Sequence, residues 1–217
     1  EVISTDWNWV FIYPEENVAS VNELVIEAGR PVRFKLTSAT VMTSFFIPQL
    51  GSQIYAMAGM LTQLNLLADE PGTYLGQNIE YSGTGYHKMH FDVHAKTAEE
   101  FKVWVQQAKQ SPESLSTERY NEISGKQIMD YPVTTFSSVV PNLFHDVMAP
   151  YMEWMGHIGV DPGHYHQMNT TDHGSHQMPD SHSGHDMNHD MNHDMNHSDH
   201  SGHDMHEMKT DTMNMNH

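Results

Sequence analysis

Residues 2–13 read VISTDWNWVFIY, a mixture of β-branched and aromatic residues with period-2 alternation, and Pro14 ends the run. Alternation of this kind is the mark of a β-strand with one face in a core, so the chain opens as a β protein. Further strand-like runs follow at Glu23 to Ile26, Val32 to Thr37, Val41 to Ile47, Leu61 to Leu67, Tyr74 to Tyr81 and Tyr86 to Ala95. Between them, Gly29-Arg30-Pro31, Gln49 to Ser52, Asp69-Glu70-Pro71-Gly72 and Ser82 to Gly85 supply the Gly, Pro and Asp that tight reversals need. About seven short strands with no long helical pattern among them favour an antiparallel sandwich or barrel over an α/β fold. The expected architecture is all-β, a Greek-key β-sandwich over residues 1–96.

After residue 96 the period changes from 2 to 3.6. Thr97 and Glu100 form a capping-box pair, and Phe101, Trp104, Val105 and Ala108 fall at i, i+3, i+4 and i+7, which predicts a helix docked through one stripe. A second short helix is expected from Ser116 to Ile123, closed at Gly125. In the stretch TTFSSVVPNLFHDVMAPYMEWM, Leu143, Phe144, Val147, Met148 and Tyr151 share one helical face. Residues 97–155 are therefore expected to be a helical extension that packs on this domain or on a partner.

Composition divides the chain again near Met155. Of 18 histidines and 17 methionines, 14 and 9 lie from Gly156 onward, with Lys209 the one basic residue there. HDMN occurs three times in succession from His185 to Asn196. Such a segment builds no core, so residues 156–217 are expected to be a disordered tail. Imidazole suits copper, nickel and zinc, while thioether selects Cu(I). The candidate ligands are His185, Met187, His189, Met191, His193, Met195, His197, His200 and His203, arranged as a loose multi-site array. The alternative is a soluble tail without a ligand.

With no cysteine, the chain has no disulfide, no Cys-ligated zinc or iron–sulfur cluster, no cysteine nucleophile and no blue-copper site. A net charge of −18 argues against nucleic acid, which demands clustered Lys and Arg. Ten acidic residues against Lys209 place half of that charge from Asp161 onward. No apolar run is long enough for a membrane span. Because the chain begins at Glu1, in a strand-like pattern and without Met, it is expected to be a processed or trimmed piece whose upstream segment, with any membrane anchor, is missing.

The stretches DWNWVFIYPE (residues 6–15), VMTSFFIPQLGSQIYAMAGM (41–60) and EPGTY (70–74), followed by the aromatic-rich segment 136–155, resemble subunit II of bacterial haem–copper oxidases, most of all the ubiquinol-oxidising bo-type branch. The resemblance covers residues 1–155 and implies a cupredoxin fold. In the cytochrome c-oxidising branch that fold carries a dinuclear copper centre, CuA, whose first histidine lies in a segment that VMTSFFIP matches, with Thr43 at the ligand position. The rest of the ligand loop falls on YSGTGYHKMHFD. In that register Tyr81 and Gly85 stand for the bridging cysteines, Met89 for the second histidine, Asp92 for the methionine and Gly83 for the carbonyl-donating glutamate. No side-chain ligand survives. Two thiolates bridge such a pair of coppers, and no oxygen or nitrogen donor matches their softness.

The resemblance therefore implies a copper-free scaffold in a ubiquinol oxidase of the bacterial inner membrane, on its periplasmic face. No cofactor is expected in the folded part. Haem and copper would reside in subunit I, partners would be subunit I and the other subunits, and ubiquinol would be used by the complex. The expected contact residues are Trp7, Trp9, Phe136, Phe144, Tyr151 and Trp154, the two tryptophans filling either the core or that interface. On the strand ending at Ala95, alternation sets His90, Asp92 and His94 on one face, expected to be solvated, and Met89, Phe91 and Val93 on the other. Two rival readings are a periplasmic copper-handling protein acting through the tail, and a cytochrome c oxidase that has kept its basic donor; the missing ligands weigh against the latter.

Overall fold

A computed structural model describes residues 1–125 and 128–157, with side chains to residue 154. The tail and all its candidate ligands, His185 through His203, lie outside the described residues.

The opening run forms two strands where one was expected, β1 (Val2–Ser4) and β2 (Trp9–Tyr13), paired antiparallel with Ile3 opposite Val10. Thr5 and Asn8 close the reversal: the Thr5 amide donates to the Asn8 carbonyl at 2.9 Å, and the Thr5 hydroxyl accepts from the Asn8 amide at 3.3 Å. A hydroxyl that bonds the nearby backbone competes with the strand ladder, and the Asn8 carboxamide is taken by the Ile128 carbonyl and the Asn22 side chain, so the alternation breaks there. The strands that follow are β3 (Val18–Val21), β4 (Glu23–Glu27), β5 (Val32–Ser38), β6 (Thr43–Phe45), β7 (Ile54–Ala56), β8 (Thr62–Leu66), β9 (Gly72–Gln77), β10 (His90–Lys96) and β11 (Thr134–Phe136). They build a six-stranded sheet in the order β11-β3-β2-β1-β5-β8, a three-stranded sheet β4-β10-β9 and a ribbon β6-β7. Two pairings, β1 with β5 and β10 with β4, are parallel.

Three expected runs are shorter than their apolar patterns. Val41 and Met42 are exposed and β6 begins at Thr43; β9 ends at Gln77, four residues before Tyr81; and Tyr86–Lys88 is a turn of 3-10 helix, so β10 starts at His90. All three shortfalls surround one loop, described below. Conversely, β3, β7 and β11 carry too few residues to stand out as runs.

The two larger sheets face each other across one core. Trp9, Phe11, Phe45 and Phe91 meet there with ring centroids 5.0–5.6 Å apart for the Phe91 contacts and the Trp9–Phe45 pair. The opposite face of the six-stranded sheet is buried along β11, β3, β2 and β1, while at β5 and β8 Arg33, Lys35 and Asn65 are exposed. Ile3, Val10, Ile12, Ala19 and Val21 pack against α2 (Thr117–Ser124), β11 and α3 (Leu143–His157) through Tyr120, Ile123, Phe136, Leu143, Phe144 and Met148. A strand enclosed on both faces reads as an unbroken apolar run, and this accounts for WVFIY. The aromatic-rich segment thus packs on its own domain, and Tyr151 fastens α3 to the β5–β6 turn by donating to the Ala39 carbonyl at 2.7 Å.

Helix α1 (Ala98–Ala108) starts as its sequence predicts, with the Thr97 hydroxyl accepting from the Glu100 amide and the Glu100 carboxylate accepting from the Thr97 amide. Those bonds to the carboxylate hold the Glu100 pKa below the usual value. Its stripe docks on β3 and β4 through Trp104 and Ala108, beside Val18 and Val25. Helix α2 is capped by Ser116 and ends at Gly125, whose φ of −89° is right-handed. Glycine is needed there for space, because a Cβ would sit 2.7 Å from the Asn121 carbonyl oxygen.

Two phenols set the alkaline limit of this fold. Burial raises the pKa of Tyr13, and of Tyr120, whose hydroxyl has no hydrogen-bond partner among the described residues. Below pH ~10 both states keep the proton; above it the unfolded chain loses the proton and the folded chain does not, so stability falls by up to about 1.4 kcal/mol per pH unit per phenol. Urea denaturation between pH 9 and 11.5 is expected to show that decline, and Tyr120→Phe to make it shallower while leaving stability at pH 7 nearly unchanged.

Candidate functional site

The loop from Asn78 to Met89 connects β9 to β10, and it carries Tyr81, Gly83, Gly85 and Met89, four of the positions that the resemblance to oxidase subunits matches to copper ligands. Its centre is Asn78, a residue the sequence reading passed over. Asn78 is 7% exposed and belongs to no strand. Its side-chain oxygen accepts from the Ser44 amide at 2.9 Å, the Ser44 hydroxyl at 3.3 Å and the Glu80 amide at 3.0 Å. Its amide group shares two hydrogens among the Glu80 carbonyl at 2.8 Å, the Ser82 hydroxyl at 3.1 Å and the Met89 thioether at 3.5 Å. The Asn78 backbone amide donates to the Met89 carbonyl at 2.9 Å, and the Ile79 amide donates to the Ser44 hydroxyl at 2.8 Å. One carboxamide thereby ties β6, both ends of the loop and its middle.

Trp7 closes the other side. Its indole N–H donates to the Ser82 carbonyl at 3.0 Å, and its ring lies flat on two glycines: a Cβ on Gly85 would stand 2.2 Å from the Trp7 Cδ2, and one on Gly83 3.2 Å from its Cζ2. The loop needs Gly83 (φ +109°) for its backbone and Gly85 for the space the indole fills.

Of the five positions matched to side-chain copper ligands, the structure gathers three around this knot and leaves two outside. Thr43 is buried beside Ser44, its hydroxyl donating to the Ser4 hydroxyl at 2.8 Å. Met89 is 1% exposed under Asn78, and Gly85 lies against Trp7. Tyr81 is 75% exposed, stacked edge-on to Tyr86 at 5.1 Å. Asp92 is exposed on the outer face of β10, while its neighbours Phe91 and Val93 point into the core. A dinuclear copper does not fit these donors. The buried hydroxyls and the thioether already take part in hydrogen bonds, the space at Gly85 holds an indole, and no thiolate is present. Among the described residues no group of three His, Asp or Glu side chains converges as a metal site. On the His90, Asp92, His94 face, His94 is engaged by Glu23 at 3.4 Å and by the Thr73 hydroxyl at 3.1 Å.

The expected contact set needs correction. Trp9 and Phe136 are 0% exposed, one in the sandwich core and the other under the helices, because the six-stranded sheet is covered on both faces where β2, β3 and β11 run. Trp7 and Phe144 are also buried within this chain, and neither is free to form a contact face in this conformation. Trp154 is 62% exposed. Exposed apolar side chains include Ile79, Tyr81 and Tyr86 of the loop and Val41 and Met42 before β6, with Tyr55, Leu67, Leu75, Val103, Met129 and Val133 elsewhere. One clue to the knot stood in the sequence: Thr43-Ser44 interrupts the apolar run VMTSFFI, and buried hydroxyls require partners.

A two-sheet cupredoxin-like sandwich with a thiol-free loop at this position defines the class, that of the periplasmic domain of an oxidase subunit II. The family described as "Cytochrome C oxidase subunit II, periplasmic domain" matches residues 14–96, and "COX Aromatic Rich Motif" matches residues 109–155. The chain belongs to this subunit II family of the haem–copper oxidases. Similar curated proteins are the ubiquinol oxidase subunit 2 of Acetobacter aceti, 47% identical over 155 residues (71% of this chain, 50% of that protein), and the cytochrome bo(3) ubiquinol oxidase subunit 2 of Pseudomonas aeruginosa, 43% identical over 187 residues (86% and 54%). The chain thus spans about half the length of the curated relatives it matches. Among solved structures, the periplasmic domain of subunit II of the Bradyrhizobium japonicum cytochrome oxidase aligns with 26% identity and a TM-score of 0.48, covering 50% of this chain and 91% of that one. Among the described residues no helix is long and apolar enough to cross a membrane.

Proposed function

We propose that this chain is the extracytoplasmic part of subunit II of a ubiquinol oxidase, and that it works as a scaffold without a redox centre of its own. The observation that carries this reading is the filled loop: Asn78, Met89 and Trp7 occupy with side chains the position where a cytochrome c-oxidising relative would hold copper. Ubiquinol oxidation, reduction of dioxygen and proton pumping then belong to the assembled enzyme, with haem and copper in subunit I. This chain's contribution is surface, which includes the exposed loop residues Ile79, Tyr81 and Tyr86, Met42 just before β6, and Trp154 on α3. Tyr81 and Tyr86 stand against each other at 5.1 Å, and grouped exposed apolar side chains are characteristic of protein contact sites. The purified oxidase containing this chain is expected to consume oxygen with ubiquinol and not with reduced cytochrome c, and to lack the near-infrared band of a thiolate-bridged copper pair. Cytochrome c-driven respiration, or that band, would overturn the proposal.

A second activity rests on a separate observation, the three HDMN repeats, which offer imidazole and thioether ligands together. In this reading the tail binds copper, with nickel or zinc as competitors for the imidazoles. Replacing His185, His189, His193 and His197 with Asn in the full chain is expected to lower Cu(II) stoichiometry, and replacing Met187, Met191 and Met195 with Leu to lower Cu(I) stoichiometry. Unchanged titrations in both variants would remove the tail from copper binding.

A further inference from the structure

We infer that Asn78 is a latch: its carboxamide, with no metal, is the central tie that holds loop 79–89 shut over the Met89 thioether and thereby fixes where Tyr81 and Tyr86 are presented. The inference stands on the loop's own contacts and does not depend on the oxidase reading. Between the end of β9 and the start of β10 the chain is in no ladder, and its one turn of 3-10 helix buries no residue. Its largest side chains, Ile79, Tyr81 and Tyr86, are exposed and contribute nothing to the core. Beside the carboxamide stand the Ser44 hydroxyl that accepts from Ile79, the Trp7 indole that reaches the Ser82 carbonyl, the Asn78–Met89 backbone bond and the turn bonds within residues 83–89, the buried Met89 side chain, and the exposed Lys88–Asp130 and Tyr55–Glu80 contacts. Only the carboxamide joins β6, Glu80, Ser82 and Met89 at one buried point.

Asparagine is singular in this place. Its oxygen serves three donors and its nitrogen three acceptors, at one buried point where the chain must both leave β9 and meet β6. Aspartate has no donor for the Glu80 carbonyl or Ser82, and a histidine or leucine lacks the paired oxygen and amide. Truncating Asn78 leaves the Ser44 amide and the Glu80 amide and carbonyl without the partners that burial requires, so the loop would open to hydrate them.

Methionine oxidation reads this opening directly, because a closed loop hides Met89 (1% exposed), whereas Met42 is 44% exposed and Met148, in the helix-covered core, is 7% exposed. In the full chain treated with dilute hydrogen peroxide and mapped by mass spectrometry, wild type is expected to oxidise at Met42 well before Met89. Chelators of copper and divalent metals are expected to leave the Met89 rate unchanged. Asn78→Ala is expected to raise the Met89 rate about tenfold with Met148 unchanged. An unchanged Met89 rate in that variant overturns the latch. A Met89 rate raised by chelator in wild type overturns metal independence, and with it the copper-free reading of the domain. If Met89 and Met148 rise together, Asn78→Ala has unfolded globally and Ser44→Ala decides: a rise at Met89 alone supports the latch, and any other result overturns it.

Discussion

Phe91→Ala is expected to destabilise this domain by about 3–5 kcal/mol, the range for deleting a large aromatic from a closed core. Phe91 is 1% exposed and its ring lies 5.0 Å from Phe11, 5.5 Å from Trp9 and 5.5 Å from Phe45, the last nearly parallel at 15°. These four rings come from β2, β6 and β10, so the one side chain joins both sheets and the ribbon. None of its neighbours is free to collapse into the gap, because Trp9, Phe11 and Phe45 are each held by their own strands with 0–1% exposure. The cavity term is therefore added in full to the lost transfer energy. Against a typical total of about 5–15 kcal/mol this is a large fraction, and thermal unfolding is expected to move down by roughly 10 °C. A loss below about 1 kcal/mol in urea titrations would mean that the two sheets are not joined through this ring.

Gly76→Val attacks the same contact from the opposite side. Gly76 lies directly across β9 and β10 from Phe91, and a Cβ there would stand 2.1 Å from the Phe91 Cζ and 2.2 Å from its Cε2. No real side chain tolerates that approach, and the surrounding rings prevent Phe91 from swinging away. The substitution is expected to cost at least about 1–3 kcal/mol, although valine is a better strand former than glycine. Gly72→Val in the same strand is the control. Its Cβ would meet only the Tyr74 ring at 3.7 Å, an ordinary contact, and little change is expected. Combining Gly76→Val with Phe91→Ala is expected to cost less than the sum of the two by about 1 kcal/mol or more, since the valine occupies part of the space that the phenyl leaves. Strict additivity would show that the glycine serves the backbone and not the ring.

Local signals account for the parts of the fold that were legible beforehand. The capping box Thr97–Glu100 and the stripe Phe101, Trp104, Ala108 lie within a few turns of one another, so helix α1 is encoded where it forms. The strands rich in Val, Ile and Phe were likewise visible, because alternation is a property of neighbours in sequence. Illegible were β11, whose Thr134–Phe136 becomes a strand only by pairing with β3 more than a hundred residues earlier, and the true ends of β6, β9 and β10. At those ends the backbone gives up ladder hydrogen bonds for bonds to Asn78 and Ser44, groups distant in sequence that meet only after the sheets have closed. The burial of the expected contact residues within this chain was illegible for a related reason. Trp9 and Phe136 are aromatic in either case, and whether an aromatic faces a partner or its own core depends on what covers the second face of the sheet.

By itself, the sequence determined that this is a β protein with a capped helix, that no thiol is available for any metal or redox chemistry, and that a histidine- and methionine-rich tail follows the folded part. Those conclusions need only composition and neighbours. Tertiary structure alone decided what fills the loop: a carboxamide with six polar contacts and an indole resting on Gly83 and Gly85. Hydrogen bonds and close packing between segments separated by dozens of residues have no signature in local periodicity. They exist only once burial has removed water as the competing partner.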